Sequence, residues 1–262
     1  MKTYQTLEIE IKEDIYTVWM NRPEKHNAFN EQMLRDLIDC FSDLNESSLT
    51  CIILRGRGKS FCAGVDLNWM KDTVKNNFSK NLEESLLLSQ CFYTLYTCKK
   101  PTIAMVHGSS LGGANGLLAA CDLAYCADNT AFSLSEVKIG IIPACISPYI
   151  IKRIGEFPSK ELMLTGRRFT GIEAAKYGLV NLSVPFDELD ETILPVIENL
   201  STSGPNAMSQ CKKLIYEVSN NLNLNEAFQY TAKMIAEIRD SDEAQEGMNA
   251  FLEKRKPSFK GK

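Results

Sequence analysis

Two short apolar runs, each followed by a glycine loop and then by a helical pattern, constrain the fold of this chain most. The runs are CIILR at 51–55 and TIAMV at 102–106, and both have the length expected of a buried strand. Strands that alternate with helices in this order run parallel and are joined by crossover connections. The sequence therefore predicts an α/β fold, with glycine loops where open sheets of this class bind ligands.

The two ends of the chain carry patterns of a different kind. Apolar and polar side chains alternate over residues 7–20, which predicts a β-hairpin. From about residue 185 the spacing is helical, and one face collects four apolar residues, Phe228, Met234, Ile235 and Ile238. We therefore expect a core domain over residues 1–200 and a helical region over residues 201–262 that supplies contacts in an oligomer.

Capping residues mark three helix starts. Asn30 is predicted as the N-cap of an amphipathic helix. In Ser147-Pro148 the serine is predicted as an N-cap and the proline as the first helical residue. The run TGIE at 170–173 has the spacing of a capping box, and Gly178 has the position of the glycine that ends the same helix.

Charge and hydropathy exclude several classes of protein. The net charge of -4 gives a nucleic-acid backbone no general reason to bind, because such binding needs an excess of Lys and Arg. The first residues, MKTYQTLEIEIKED, alternate charged and apolar side chains, and no later run reaches membrane-spanning length. We expect a globular cytoplasmic protein with neither nucleic-acid nor membrane partners.

The cysteines and histidines do not form a recognisable reactive site. The nine cysteines are an odd number, lie in apolar surroundings and lack CxxC spacing, so we interpret them as small core residues. His26 and His107 are the only histidines, which argues against a metal site and against thiol catalysis. We interpret His107 as a structural loop residue and expect His26 to be exposed to solvent.

The glycine loops fail the two nucleotide-binding patterns that they suggest. A P-loop ending at Gly58-Lys59-Ser60 needs a glycine at position 53, where the chain has Ile53. The run LGGANG at 111–116 lacks GxGxxG spacing. These mismatches argue against a nucleotide cofactor.

Two segments remain, SFCAGVDLNWM at 60–70 and HGSSLGGANGLLAACD at 107–122. In each, small residues let the backbone approach a ligand, and the start of a helix leaves N–H groups unpaired. Two such N–H groups that point at one atom form an oxyanion hole. The alternative is that the glycines only permit tight turns.

The order of these segments along the chain carries a resemblance. FCAGVDLNWM, then HGSSLGGANGLLAACDLAYCA, then FSLSEVKIGIIP closely resemble the crotonase family of enoyl-CoA hydratases and isomerases. NRPEKHNAF at 21–29 resembles the first CoA-contacting loop of that family, and FLEKRKPSFKGK resembles its C-terminal end. The resemblance covers nearly the whole chain and implies the crotonase (ClpP-like) spiral of ββα units.

The resemblance also implies roles for single residues. It places oxyanion N–H groups at Val65 and Gly113, where they would stabilise the enolate of a thioester. It implies trimers or hexamers and an acyl-CoA thioester as substrate, with no metal and no separate cofactor. Contacts with CoA or substrate are implied at Lys25, Asn27, Ala63, Asp66, Leu67, Asn68, Leu111, Gly112 and Pro143.

The acid–base residues of the family are matched in part. Glu136 falls on the second of two catalytic glutamates, and its apolar neighbours are expected to raise its pKa. The first falls on Gly116, which cannot transfer a proton. Three alternatives follow: Glu136 works alone, Asn115 helps to hold the water beside Gly116, or the reaction is not hydration.

The run SEVKIGIIPACISPYIIKRIG at 135–155 resembles the bacterial branch of methylglutaconyl-CoA hydratases, which favours hydration. We therefore expect a lyase that adds water to a 2-enoyl-CoA, with 3-methylglutaconyl-CoA or a similar branched acid as substrate. Isomerisation or decarboxylation on the same fold is the first alternative, because neither needs two glutamates. A non-catalytic protein that binds CoA esters or RNA is the second.

Overall fold

Two β-sheets organise the protein. The computed structural model describes residues 2–45 and 49–259, and its strands in chain order are β1 (Leu7–Lys12), β2 (Ile15–Met20), β3 (Cys51–Gly56), β4 (Thr102–Val106), β5 (Ser109–Leu111), β6 (Leu123–Ala127), β7 (Ala131–Ser133), β8 (Arg168–Phe169) and β9 (Leu182–Val184). The main sheet has the order β1-β2-β3-β4-β6-β9, and the second has the order β5-β7-β8.

The strand directions confirm the α/β class. β1 and β2 form the predicted antiparallel hairpin, whereas each pair from β2 to β9 in the main sheet is parallel. Both faces of β3 are buried, as expected for a central parallel strand. Ile52 and Leu54 face the larger core, and Cys51 and Ile53 face a second cluster on the other side of the sheet.

Helices cover the sheet and fill the C-terminal part. They are α1 (Glu31–Asn45), α2 (Leu67–Thr73), α3 (Phe78–Tyr96), α4 (Ala114–Ala120), α5 (Ser147–Ile154), α6 (Glu156–Thr165), α7 (Gly171–Tyr177), α8 (Leu189–Thr192), α9 (Leu194–Ser201), α10 (Pro205–Asn220), α11 (Leu224–Arg239) and α12 (Asp242–Leu252). None of the described helices is long and apolar enough to cross a membrane.

Two of the three predicted helix starts are confirmed. The Asn30 side chain accepts a hydrogen bond from the Met33 N–H at 3.0 Å and so caps α1. Thr170 caps α7 in a complete capping box with Glu173, and Gly178 ends that helix with a φ of 79°. These signals work from sequence because each depends only on residues within one turn of the helix end.

The third start is displaced by one residue. Ile146 is the N-cap of α5, and Ser147 is its first helical residue. The Ser147 hydroxyl donates to the Ala144 carbonyl at 2.8 Å, back into the preceding turn. The predicted N-cap role for Ser147 is therefore wrong, because this hydroxyl bonds to a carbonyl instead of accepting from the N–H groups of the first turn.

The C-terminal region is helical, as predicted from residue 185. Its apolar face is only partly covered: Met234 is buried, whereas Phe228 is 76% exposed. Lys212 of α10 ties the region to the core, since its Nζ donates to the Lys100 carbonyl at 2.8 Å and pairs with Asp122 at 2.6 Å. The division at residue 200 stays a prediction, and residues 260–262 lie outside the described residues.

Burial of the cysteines confirms that most are core residues. Seven of the nine are buried, Cys145 is half-buried and Cys211 is exposed, and all nine are free thiols. Burial raises the pKa of the Cys51 thiol to about 11 and that of Cys62 to about 12. Because a thiolate is the reactive form, these buried thiols are chemically inert at neutral pH.

Candidate active site

The two glycine loops run side by side beyond the carboxyl ends of β3 and β4. The Cys62 N–H donates to the Ser109 carbonyl at 3.0 Å, and the Leu111 N–H donates back to the Cys62 carbonyl at 3.2 Å. At Gly64, φ is +91°, and an added Cβ would lie 2.7 Å from the Leu111 carbonyl oxygen. The loops therefore meet at a point where only glycine fits.

The two predicted oxyanion N–H groups are unpaired where these loops meet. The N–H groups of the neighbouring residues are engaged: Asp66 donates to the Phe29 carbonyl at 2.9 Å, and Gly112 donates to the Ser133 carbonyl at 2.8 Å. The N–H groups of Val65 and Gly113 have no acceptor within the described part of the chain. Both residues are half-buried, so these donors are available to a ligand.

Phe29 connects the two donors. Its backbone pairs with Val65 in an isolated parallel bridge, and its fully buried ring lies behind Gly113. A Cβ at Gly113 would lie 2.8 Å from the Phe29 Cζ atom, so the turn cannot take a larger residue without moving the ring. This packing fixes the backbone of Gly113 against that of Val65.

Glu136 brings a carboxylate to the same place. It opens a 3-10 turn (Glu136–Ile139) just after β7, and its Oε1 lies 3.2 Å from the position that a Cβ on Gly112 would take. Its Oε2 is buried without a hydrogen-bond partner. Burial raises the pKa of the Glu136 carboxyl, which confirms the direction expected from the apolar residues beside it.

Gly116 has no space for a side chain. An added Cβ would lie 2.4 Å from Ile146 Cγ2 and 2.8 Å from two ring atoms of Phe92. Phe92 and Ile146 are themselves buried, so neither can easily move away. Carbon atoms of Ile146 and Phe92 therefore fill the space that the side chain of a glutamate at position 116 would need.

The structure contradicts a water-positioning role for the Asn115 side chain. Asn115 is fully buried, and its Oδ1 accepts from the Ser110 hydroxyl at 3.0 Å. Its Nδ2 donates to the carbonyls of Gly112 at 2.9 Å and Ser133 at 2.8 Å. The amide instead holds the turn that precedes Gly113 against β7.

Two of the predicted ligand contacts are also structural side chains. Asn27 is fully buried; it accepts from the Arg22 N–H and donates to the carbonyls of Arg57 and Ser60. Asp66 is buried too, where it caps α2 through the Asn68 N–H and pairs with Arg22 at 2.8 Å. Each side chain is enclosed by its own partners, and contact of Asn27 or Asp66 with CoA stays a prediction.

The other predicted contact residues differ in exposure. Pro143 is buried. Those that border the two loops and are exposed or half-buried are Lys25, Ala63, Leu67, Asn68, Leu111 and Gly112. Their contact with CoA stays a prediction.

The two histidines lie as the sequence suggested. His26 is exposed. His107 is buried, and its Nε2 lies 2.9 Å from the Gly58 carbonyl. Burial lowers the pKa of His107, which keeps its imidazole neutral.

Several residues that shape the site from behind could not be predicted from the sequence. Phe29, Phe92 and Ile146 surround the glycines, and Arg153 binds the far end of α4. Only Arg153 carried a local signal, as a cation in the last turn of an amphipathic helix. No group of His, Cys, Asp and Glu residues in the described ranges could hold a metal ion.

The chain matches known proteins over nearly its whole length. The family model for enoyl-CoA hydratase/isomerase matches residues 10–262. Hydroxycinnamoyl-CoA hydratase-lyase of Pseudomonas fluorescens is 34% identical over 97% of this chain and 95% of its own length. The peroxisomal Delta(3,5)-Delta(2,4)-dienoyl-CoA isomerase of Arabidopsis thaliana is 31% identical over 99% of this chain and 98% of its own.

A solved structure of an enoyl-CoA hydratase has the same fold as this chain. An enoyl-CoA hydratase from Shewanella pealeana superposes with a TM-score of 0.93 at 34% identity and covers 97% of this chain and 96% of its own. The fold is thus the crotonase fold predicted from the loop motifs. This chain belongs to the enoyl-CoA hydratase/isomerase family.

Proposed function

We propose that this enzyme hydrates 2-enoyl-CoA thioesters with Glu136 as its one acid–base residue. The observation that carries the proposal is the Glu136 carboxylate, which lies against Gly112 with one buried, unpartnered oxygen. Gly113, the next residue, has an N–H group that is free to bind the thioester oxygen. Proton transfer and enolate stabilisation are therefore available at adjacent positions.

The proposed reaction moves one proton through Glu136. The carboxylate takes a proton from water as the water oxygen bonds to C3 of the enoyl group. The C2–C3 π pair then forms a double bond between C1 and C2, and the carbonyl π pair moves onto the thioester oxygen. The N–H groups of Val65 and Gly113 stabilise that enolate. The neutral Glu136 then returns the proton to C2, which reforms the thioester carbonyl and regenerates the carboxylate.

The raised pKa of Glu136 suits both halves of this cycle. A carboxylate that loses solvation becomes a stronger base toward water, and its neutral acid persists long enough to protonate C2. Gly116 offers no second acid, because Phe92 and Ile146 fill the space next to its Cα atom. One carboxylate therefore takes both roles.

The favoured substrate is 3-methylglutaconyl-CoA or a similar branched enoyl-CoA. Support comes from the resemblance of residues 135–155 to methylglutaconyl-CoA hydratases. Exposed apolar side chains in that run, Ile139, Ile141 and Ile142, offer contacts for the acyl portion of a ligand.

We further propose a homotrimer or homohexamer in the cytoplasm. Exposed apolar residues on the C-terminal helices support an interface between copies, among them Leu224, Phe228, Phe251 and Leu252. The unpaired thiols fit a reducing compartment. Light scattering of the purified protein tests the assembly, and a monomeric mass would refute it.

Double-bond isomerisation is the second candidate. It moves one proton between two carbons of the substrate, so a single carboxylate beside an oxyanion hole suffices. The enclosed Gly116 favours this alternative because it excludes a second glutamate at that position.

A turnover screen separates these functions. Purified protein is mixed with crotonyl-CoA, 3-methylglutaconyl-CoA and other branched enoyl-CoAs, and products are identified by mass. Hydration adds the mass of one water, whereas isomerisation leaves the mass unchanged. If enoyl-thioester absorbance and mass stay constant for every substrate, the hydratase proposal fails.

Substitution of Glu136 tests the role of the carboxylate. Glu136→Gln should lower turnover about 10²- to 10⁴-fold, because the amide cannot take the proton from water. Glu156→Gln is the matched control, since Glu156 is a surface carboxylate paired with Lys160 on α6. Equal turnover in the wild type and in Glu136→Gln would assign the chemistry to another group, and tight ester binding without turnover in both would identify a binding protein.

A further inference from the structure

Arg153 binds the end of α4 that lies opposite Gly113. Its guanidinium makes four hydrogen bonds, and all four acceptors are backbone carbonyls. Nη1 donates to Leu118 at 3.1 Å and to Leu179 at 3.0 Å. Nη2 donates to Cys121 at 2.7 Å and to Asp122 at 2.9 Å. Each of these nitrogens therefore uses both of its protons.

Two of these carbonyls belong to the C-terminal end of α4. Leu118 lies in its last turn, and Cys121 is its C-cap. The last carbonyls of a helix have no partner within the helix, and they carry its negative dipole end. Arg153, which comes from α5, therefore supplies both the missing donors and the complementary charge.

α4 links this cation to the proposed oxyanion site. The helix has seven residues, so it is about 10 Å long. Every residue from Ala114 to Ala120 is buried, and Gly113 is the N-cap. In so short and tightly packed a helix, a tilt at the C-terminal end also moves the N–H of Gly113.

We infer that Arg153 is a positioning residue for the oxyanion donor of Gly113. The inference rests on the oxyanion role in the proposed function. Arg153 touches neither Gly113 nor Glu136; it holds the far end of α4 so that the Gly113 N–H points at the thioester oxygen. Its charge also neutralises the negative end of the α4 dipole.

The planar fork of arginine is needed for this contact. Two guanidinium nitrogens reach four carbonyls in three segments: α4, the turn at 121–122 and the approach to β9 at Leu179. Lysine carries one nitrogen and three donors, so it would retain the charge but cannot span the same acceptors. Arg153→Lys and Arg153→Gln thereby separate the effect of charge from that of geometry.

The experiment measures how strongly the bound thioester carbonyl is polarised. A saturated acyl-CoA with a ¹³C-labelled carbonyl is bound to the full-length protein, and isotope-edited infrared spectra give its C=O stretching frequency. Bound ligand reports on folded protein only. The wild type should lower the frequency relative to free ligand, because two N–H groups withdraw electron density from the carbonyl oxygen.

Arg153→Gln should return the C=O frequency toward that of free ligand and lower kcat about 10- to 100-fold, since a shift of about 1 Å in a catalytic group costs up to about 10²-fold. KM should change less than about threefold, because none of the predicted CoA contacts lies on α4. Arg153→Lys should fall between the wild type and Arg153→Gln in both measurements.

Arg167→Gln is the matched control. Arg167 also makes several hydrogen bonds, to Glu161, Glu173 and Tyr177, but none to α4. Its loss should leave the C=O frequency and kcat of the folded protein unchanged. The inference is overturned if Arg153→Gln keeps the wild-type frequency, or if KM alone rises. If the wild type polarises the carbonyl but hydrates no enoyl-CoA, the proposed hydration fails while this inference stands.

Discussion

Replacing Gly116 with alanine tests the packing that excludes a second glutamate. In a helix, alanine is favoured over glycine by about 1 kcal/mol. At Gly116 the new Cβ would lie 2.4 Å from Ile146 Cγ2, well inside the carbon–carbon contact distance of about 3.5 Å. Overpacking of this kind costs about 1–3 kcal/mol, and the buried ring of Phe92 prevents relaxation on the other side.

We therefore expect Gly116→Ala to lower the free energy of unfolding by about 2 kcal/mol, from an overpacking cost of about 3 less a propensity gain of about 1. Urea denaturation followed by circular dichroism measures this difference. Gly247→Ala is the control. Gly247 lies within α12, and a Cβ there would make an ordinary contact of 3.4 Å with Phe259. Gly247→Ala should therefore stabilise the protein by up to about 1 kcal/mol.

A double-mutant cycle locates the cause. Ile146→Ala removes the Cγ2 atom that the new Cβ would contact, so Gly116→Ala should cost about 1 kcal/mol less in that background than in the wild type. Wild-type or higher stability for Gly116→Ala, with no coupling to Ile146, would refute the proposed packing. It would also reopen position 116 to a catalytic side chain.

Three further predictions follow from single groups. Burial raises the pKa of Glu136, whose carboxylate is the proposed base, so log kcat/KM should fall with unit slope below that raised pKa. A profile flat down to pH 4 would contradict this role. Because burial lowers the pKa of His107, the unfolded chain binds the proton more tightly than the folded chain does. The stability that this difference contributes should be fully present above about pH 6.5, and the free energy of unfolding should fall as the pH drops below that value. Urea titrations at several pH values measure this fall in the free energy of unfolding. His107→Gln should remove the fall, whereas His26→Gln, at an exposed histidine, should leave it in place. Thr170→Ala should cost about 1 kcal/mol, measured as a lower Tm, since it removes half of the capping box of α7; an unchanged Tm would show that Glu173 alone suffices.

Local patterns in the sequence predicted the fold well. The alternation over residues 7–20 predicted the hairpin, and the apolar runs predicted β3 and β4. Both patterns are visible in the residue order, because a strand buried on one face alternates apolar and polar side chains and a strand buried on both faces is apolar throughout. The Asn30 cap was predictable for the same reason. The role of Ser147 was not predictable, because its hydroxyl donates to a carbonyl in the preceding turn instead of capping α5.

The site was predicted in part. The resemblance to the crotonase family implied Val65, Gly113 and Glu136, and the structure brings their loops together. The roles of Asn27 and Asn115 could not be separated from ligand contact by sequence, because a buried amide that binds backbone carbonyls has the same residue type as one that binds substrate. The space beside Gly116 depends on Ile146, which lies 30 residues further along the chain.

The bridge between Phe29 and Val65 has a consequence for how the enzyme loses activity. The site combines segments around residues 29, 65, 113 and 136, so no single loop or helix contains it. A ligand held there binds the folded chain alone and should stabilise the whole molecule, by about 2.7 kcal/mol at one hundred times its Kd. Catalytic activity should therefore disappear in the same denaturant transition as the helical signal, and acyl-CoA should move both together.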